Sequence, residues 1–367
     1  MSIKPSDYSR LSLEDRRRLL KEHAGLSDEE MNMIDPQGGL SLDSADHMIE
    51  NVVGMISIPI AIAPSMRMND QIYFVPMVTE QKRTITMTNI GIELSESTGG
   101  FNVESTEPIM IGQIQILRIP DYEEAYKKVL DQKDELLKLA CTASRSRKAV
   151  DLQMRNFDTA VGPMAVVELM VNVRDSMGAN IVDTMVELIA PIIQELTGGE
   201  VKLRILTNLA TRRLVTVNVK VPKDKLCEKI INNILDAYAF AEVDPYRAAT
   251  HNKGIMNGVA SVLLATSNDT RAVEAGAHAY AAFDGFYKPL STWKKDGEGN
   301  LLGSLTMPMA LGIIGGSTAT HPTSKLSLKI LGVKTAIELG QIAASIGLAA
   351  NLGALYQLVT EGITSIS

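Results

Sequence analysis

Hydrophobic and polar positions alternate with two different periods along this chain, and the changes of period mark its parts. The first thirty-odd residues read as two short helices. Ser12-Leu13-Glu14-Asp15 and Ser27-Asp28-Glu29-Glu30 each place a hydroxyl at an N-cap with acids in the first turn, where exposed amides and the helix dipole favour them. Residues 51–80 turn strand-like, in runs at 55–62 and 72–75 punctuated by Pro59 and the turn signal Asn69-Asp70. From about 103 to 221, strands and helices alternate. Residues 109–119 have the two-residue period of a half-buried strand, and residues 123–139 have helical spacing through Ala125, Val129 and Leu136. A strand at 164–173 follows, then an amphipathic helix at 181–196 closed by Gly198-Gly199, then strands at 201–206 and 214–221.

A compact β-α-β-β-α-β unit of this size is the ferredoxin-like pattern. The chain before and after it reads as one core, so residues 103–221 are expected to be a small inserted domain. Residues 1–102 and 222–367 would form a large, mainly helical domain, giving an α+β protein. Two uncharged stretches, 301–324 and 339–360, have the length of membrane spans. The first carries prolines, glycines and hydroxyls and the second Gln341, Asn351 and Gln357, so both are expected to be buried core, with no membrane partner.

Composition narrows the class. The 367 residues are too many for one ordinary core, and 45% hydrophobic with 22% charged is the balance of a folded globular protein. A net charge of −7 and 4% aromatic residues give neither the electrostatic footprint nor the stacking platform of a nucleic-acid binder. Two cysteines, Cys141 and Cys227, make no disulfide framework, and no apolar leader opens the sequence; a reducing cytoplasm is the expected compartment.

Generic catalytic motifs fail. The cluster Gly312-Ile313-Ile314-Gly315-Gly316 lacks G-x-G-x-x-G spacing, and there is no P-loop or G-x-S-x-G elbow. The five histidines, His23, His47, His251, His278 and His321, show no ligand spacing with Cys, Asp or Glu, so no metal is expected. The informative stretch is 239–277, where Arg247, Lys253 and Asp269 interrupt small and apolar residues. A lysine beside a carboxylate can hold a proton for a carbonyl oxygen gaining charge, and a nearby arginine can fork onto a substrate carboxylate. Solvated charges at a helix start account for the same residues.

Several longer strings carry a resemblance. They are Glu50-Asn51-Val52-Val53-Gly54, Val75-Pro76-Met77, Arg174-Asp175-Ser176-Met177-Gly178-Ala179-Asn180, and Arg204-Ile205-Leu206-Thr207-Asn208-Leu209. With them stand the fifteen residues from Asp244 to Gly258, which include Tyr246-Arg247-Ala248-Ala249-Thr250-His251-Asn252-Lys253, and Ala272-Val273-Glu274-Ala275-Gly276-Ala277-His278. Together they resemble the hydroxymethylglutaryl-CoA (HMG-CoA) reductase family in its prokaryotic, class II-like branch, over essentially the whole chain. The resemblance implies a large helical domain with a ferredoxin-like, non-Rossmann dinucleotide-binding insertion, and a homodimer with active sites where subunits meet. It also implies a small-molecule substrate such as a CoA thioester. The family's oxygen-polarising lysine falls on Lys253, the aspartate hydrogen-bonded to it on Asp269, and its substrate-holding arginine and asparagine on Arg247 and Asn257. The family's dinucleotide-contacting D-x-M-G-x-N falls on Asp175, Met177, Gly178 and Asn180.

The family pattern also breaks. Its catalytic glutamate position is Gln81, whose amide can hydrogen-bond but cannot exchange a proton as a carboxyl does. Glu80 is adjacent, but neighbours in an extended segment point to opposite sides, so it would serve only after local rearrangement. Lys82-Arg83 put two long cations where the acyl group is expected, making Arg83 a candidate substrate contact. The family's C-terminal flap and its thiolate-protonating histidine are expected to be absent, since no histidine follows His321. In Ser144-Arg145-Ser146-Arg147-Lys148, Arg145 and Arg147 would suit a ribose 2′-phosphate, favouring NADPH over NADH; a helix C-terminus complementing its dipole explains them equally.

The expected function is an NAD(P)H-dependent oxidoreductase that transfers hydride to a carbonyl, imine or acyl-CoA substrate and has diverged from thioester reduction. The alternatives are an inactive homologue acting as a structural or regulatory subunit, and a slow true HMG-CoA reductase.

Overall fold

The computed structural model describes residues 3–35 and 39–362, apart from the side chain of Ser317. Its two compact units are Met1–Ser105 with Val215–Ser367, and Thr106–Leu214.

The chain opens with α1 (Pro5–Arg10), α2 (Leu13–Ala24), α3 (Asp28–Asn32) and α4 (Leu42–Met48). Both expected N-caps form: Ser12 Oγ accepts from the Asp15 amide at 3.1 Å, and Ser27 makes a reciprocal capping box with Glu30. Two helices were not expected: α1 starts on a proline at its first turn, where the missing N–H is no loss, and α4 is capped by Ser41, whose side chain accepts from the Ser44 amide. β1 (Ile60–Met68) and β2 (Gln71–Val78) form an antiparallel hairpin around Asn69 and Asp70, both at positive φ, 46° and 65°. The strand expected from residue 55 begins only at Ile60. Residues 55–59 have no strand partner and are exposed, Ile56 at 87%. α5 (Lys82–Ser95) and β3 (Phe101–Ser105) follow.

The inserted unit runs β4 (Ile109–Leu117), α6 (Tyr122–Asp131), α7 (Lys133–Cys141), β5 (Lys148–Thr159), β6 (Gly162–Asn172), α8 (Ala179–Thr197) and β7 (Glu200–Leu206). Its sheet order β5-β6-β4-β7, antiparallel throughout, is ferredoxin-like. The pattern was right but its strands need correction. β5 escapes a periodicity reading because its register shifts between Ala149 and Asp151, which throws the apolar positions Ala149, Leu152 and Met154 out of one alternation. The last expected strand, β8 (Leu214–Val221), pairs instead with β3 in the larger unit. The unit border therefore falls at 105/106 and 214/215 rather than at 102/103 and 221/222.

The larger unit continues with α9 (Lys223–Val243), α10 (Pro245–Ala265), α11 (Thr270–Ala281), β9 (Ser291–Lys295), β10 (Leu301–Pro308), α12 (Gly316–Thr320), α13 (Pro322–Leu331) and α14 (Ala336–Thr360). It is less purely helical than expected, with a six-stranded sheet in the order β2-β1-β3-β8-β10-β9. β10 begins the first uncharged stretch, and its burial alternates along the strand. α14 is the one described helix long and apolar enough to cross a membrane, but 78% of its apolar window is buried inside the protein, as a core helix should be. α5 crosses it at very close range: a Cβ on Gly91 would lie 2.0 Å from the Ala349 carbonyl oxygen, and one on Gly353 would lie 1.9 Å from that of Met87. Only glycine at these two positions lets the backbones approach so closely.

Candidate active site

α10 starts where Asp244 Oδ1 accepts from the Tyr246 amide at 3.0 Å, with Pro245 in the first turn. Lys253 and Asn257, four residues apart, share one face of it. The residues before Lys253 turn inward. His251 is 2% exposed, its Nε2 lying 2.6 Å from Ser291 Oγ and 3.2 Å from Asn351 Nδ2. Asn351 Oδ1 in turn accepts from Ser291 Oγ and Trp293 Nε1. Burial, and secondarily the charge of Arg247, pushes the His251 pKa down to about 3, so the ring is neutral. Asn252, fully buried, donates to the Lys288 carbonyl and accepts from the Leu290 amide. These buried bonds fix the rotation of α10 about its axis, and so the direction of Lys253.

Lys253 Nζ reaches Gln81 Oε1 at 3.4 Å. Gln81 stands at the N-cap of α5 in extended conformation, its side chain making no cap bond and therefore available to Lys253. Its own amide is held by Thr79 Oγ1 at 3.1 Å. Glu80, Lys82 and Arg83 are exposed, and no described bond joins any of them to Lys253. The first turn of α5 holds two cations and no acid, the reverse of what its dipole favours.

The lysine–aspartate pair implied by the resemblance is not formed. Asp269 is the N-cap of α11, where Oδ1 accepts from the Ala272 amide at 3.1 Å and lies 3.6 Å from Arg271 Nε. Its carboxylate is committed to its own helix start, and no described ion pair links it to Lys253. Lys253 is also exposed rather than partly buried. Arg247 is half-buried, which lowers its pKa, and no described carboxylate pairs with it. Asn257 is half-buried, its backbone carbonyl taken by Ser261.

In the inserted unit, Asp175, Met177 and Gly178 lie in the turn from β6 into α8, and Asn180 lies in the first turn of α8. Arg174 has φ 52° and Gly178 φ 106°, and a Cβ at Gly178 would meet Val173 Cγ1 at 2.6 Å, so glycine is required there. Ser176 Oγ donates to the Val173 carbonyl at 2.8 Å. The sequence reading missed Arg213, which is 5% exposed and donates from Nη1 to the carbonyls of Ser176 and Met177 at 3.1 and 3.3 Å. Burial lowers its pKa to about 10, against the opposing charge of Asp175. In sequence it is one of an adjacent pair, Arg212-Arg213, that reads as a solvated turn.

Strand register brings the basic loop to the same end of this sheet, because Lys148 at the start of β5 faces Asn172 at the end of β6. The loop is no helix terminus. α7 ends at Cys141, and Ser144 Oγ accepts from the amides of Ser146 and Arg147, so the dipole explanation of Arg145 and Arg147 does not apply. Arg145 is exposed, and Arg147 Nη1 donates to Ser146 Oγ. Among the described residues no group of three or more His, Cys, Asp or Glu side chains could hold a metal ion.

The family profile described as hydroxymethylglutaryl-coenzyme A reductase matches residues 12–365. The chain belongs to the HMG-CoA reductase family. A relative from Archaeoglobus fulgidus named 3-hydroxy-3-methylglutaryl-coenzyme A reductase is 45% identical, over 99% of this chain and 84% of its own length. A probable reductase of the same name from Borreliella burgdorferi is 30% identical, over 86% of this chain and 74% of its own. A class II enzyme from Streptococcus pneumoniae, solved bound to NADPH in open conformations, superposes with a TM-score of 0.94 at 38% identity, covering 98% of this chain and all of that one. As an HMG-CoA reductase family member of the prokaryotic branch, the chain is an NAD(P)H-dependent oxidoreductase.

Proposed function

We propose that this family member reduces a carbonyl held against Lys253, with acyl-CoA-derived substrates of the 3-hydroxy-3-methylglutaryl type. We further propose that it keeps the aldehyde-level hydride step more fully than the thioester step. The observation that carries this reading is the approach of Lys253 to Gln81, an ammonium beside an amide where the family has a carboxyl.

The nicotinamide cofactor supplies hydride when bound. The glycine-backed turn at Gly178, the start of α8 and the basic loop at 144–147 fit a dinucleotide, with Asp175, Met177, Gly178 and Asn180 holding it. Arg145 and Arg147 would pair a 2′-phosphate, which makes NADPH the preferred form over NADH. Lys253 donates to the carbonyl oxygen and stabilises the negative charge that grows there. Reducing an aldehyde to an alcohol takes one hydride and one proton, which the lysine can furnish. Reducing a thioester also expels a thiolate, whose proton the resemblance assigns to a histidine, and it makes a further demand on the glutamate position, where the Gln81 amide cannot exchange a proton as a carboxyl does. Arg247, half-buried, suits a substrate carboxylate, with Asn257 one turn from Lys253. The cations of Lys82 and Arg83 at the positive end of α5 call for an anionic substrate group. Asp269 enters this reading as the residue that fixes the start of α11, and exposed Glu80 supplies no proton.

The segment around Glu50–Gly54 supports a homodimer, since Ile49, Val53, Met55 and Ile56 are all more than half exposed in the single chain. The free cysteines Cys141 and Cys227 suit a reducing cytoplasm.

The test is NAD(P)H oxidation with 3-hydroxy-3-methylglutaryl-CoA and, separately, with the aldehyde of its acyl group. Faster turnover of the aldehyde, with thioester reduction rising in Gln81→Glu, supports the reading. Equal turnover of both substrates removes the assigned role of Gln81, and no binding of either dinucleotide at millimolar concentration removes the enzyme reading.

A further inference from the structure

The inserted unit buries a guanidinium. Arg213 sits at the border with β8, 5% exposed, and its Nη1 bonds converge on two consecutive carbonyls, those of Ser176 and Met177. Burying an arginine is unfavourable unless its donors are matched, and a smaller apolar side chain would fill the space without that cost. The two carbonyls it takes lie in the turn between Asp175 and Gly178.

Peptide geometry gives this contact a consequence. In a trans peptide the carbonyl of residue i and the N–H of residue i+1 point in opposite directions. Drawing the Ser176 and Met177 carbonyls toward Arg213 therefore directs the Met177 and Gly178 amides away from it. Those amides lead directly into α8, whose N-cap is Gly178 and has no side-chain cap. Three further constraints hold the same turn: Arg174 and Gly178 at positive φ, the Ser176 Oγ bond to Val173, and the Arg174 amide bound to Asn172 Oδ1 at 3.1 Å. The turn is preorganised, and the guanidinium is the only charged side chain whose described donors hold its carbonyls.

We propose that Arg213 is a positioning residue for dinucleotide binding: it orients the Ser176–Gly178 peptides so that consecutive amides, continuous with the start of α8, face an anionic group of the cofactor. This rests on the reading of that turn as the dinucleotide site. Arg213 touches neither cofactor nor substrate and acts through the backbone it holds. A lysine would keep the charge but, as a compact ammonium on a flexible stem, would not hold the fixed position from which Nη1 serves both carbonyls.

The experiment compares the unmutated protein with Arg213→Lys and Arg213→Gln. NADPH affinity is followed by the fluorescence of the bound dihydronicotinamide, steady-state kinetics with the carbonyl substrate run in parallel, and far-UV circular dichroism checks the fold. Arg213→Gln is expected to weaken NADPH binding and raise its KM by about tenfold or more, the size of a lost charge-assisted hydrogen bond. The KM for the carbonyl substrate should stay unchanged, and kcat at saturating NADPH should stay within about twofold. Arg213→Lys should recover part of the affinity. A folded Arg213→Gln with unaltered NADPH affinity overturns the proposal, as does an equal loss in both KM values. Hydrogen exchange of the unmutated chain needs no variant: peptides covering Met177 and Gly178 should exchange quickly alone and slowly with NADPH. Slow exchange before NADPH is added also overturns it. If the unmutated protein binds no dinucleotide, the reading of the site fails, whereas binding that ignores Arg213 sinks this inference alone.

Discussion

The amide oxygen of Gln81 and the ammonium of Lys253, 172 positions apart in the chain, meet at 3.4 Å. A strand end and a mid-helix residue are thereby brought to one point, and each is set by its own framework. Thr79 and the start of α5 fix Gln81. The buried network of His251, Ser291 and Asn351 fixes the helix that carries Lys253.

Replacing Lys253 by Met removes the hydrogen bond to the developing oxyanion. Turnover should fall by about 10²-fold or more, as when one oxyanion-stabilising donor is lost. NADPH affinity, measured by fluorescence titration, should hold. A variant that keeps ordinary turnover would remove Lys253 from the chemistry.

Arg145→Gln with Arg147→Gln should lower the ratio of kcat/KM with NADPH to that with NADH by about tenfold, since each guanidinium can pair a 2′-phosphate by charge-assisted bonds. Activity with NADH should change little. An unchanged ratio would return this loop to an ordinary solvated turn.

His251 makes stability depend on acid. Its folded pKa of about 3 lies below the ordinary histidine value of 6.5, so the unfolded chain takes up a proton in that interval while the folded chain does not. The contribution is complete above pH 6.5 and is lost as pH falls toward 3, at up to about 1.4 kcal/mol per pH unit. Urea midpoints at pH 7.5 and pH 5 should differ more for the unmutated chain than for His251→Gln. Equal differences would show that the ring is not held neutral by the fold.

Gly91→Ala forces a methyl group to 2.0 Å from the Ala349 carbonyl oxygen, a backbone contact that no rotamer can relieve. The melting temperature should drop, by an amount matching about 1–3 kcal/mol or more of overpacking. Because Gln81 is the N-cap of α5, turnover should fall in the variant even below its melting point. An unaltered melting curve would mean the two helices are free to separate.

Ile56→Asp, on the exposed segment before β1, should leave the monomer fold intact while reducing dimer content in sedimentation velocity. A variant that sediments like the unmutated protein would remove this segment from the proposed subunit contact.

Much of this was legible one residue at a time. Ser12 and Ser27 announced helix starts, Asn69-Asp70 a turn, and Gly198 the end of α8, because each signal depends on a residue's own φ or on an amide three positions away. Lys253, Arg247 and Asn257 were legible as motif residues on one helix. Arg213 was not, since its value lies in carbonyls 36 and 37 positions back. Nor was the commitment of Asp269 to its own helix, which competes with the pairing its motif implied.

The sequence by itself determined the ferredoxin-like character of the insertion, the buried character of α14 and the family, all carried by local periodicity and contiguous strings. Tertiary structure alone decided that β8 pairs with β3 rather than joining the insertion, that β5 follows its register shift, and that Asp269 caps its own helix instead of pairing with Lys253. The reason is physical: caps and turns are satisfied within a few residues, while strand partners and buried hydrogen bonds are chosen by packing among segments far apart in the chain, where spacing along the sequence carries no record of distance.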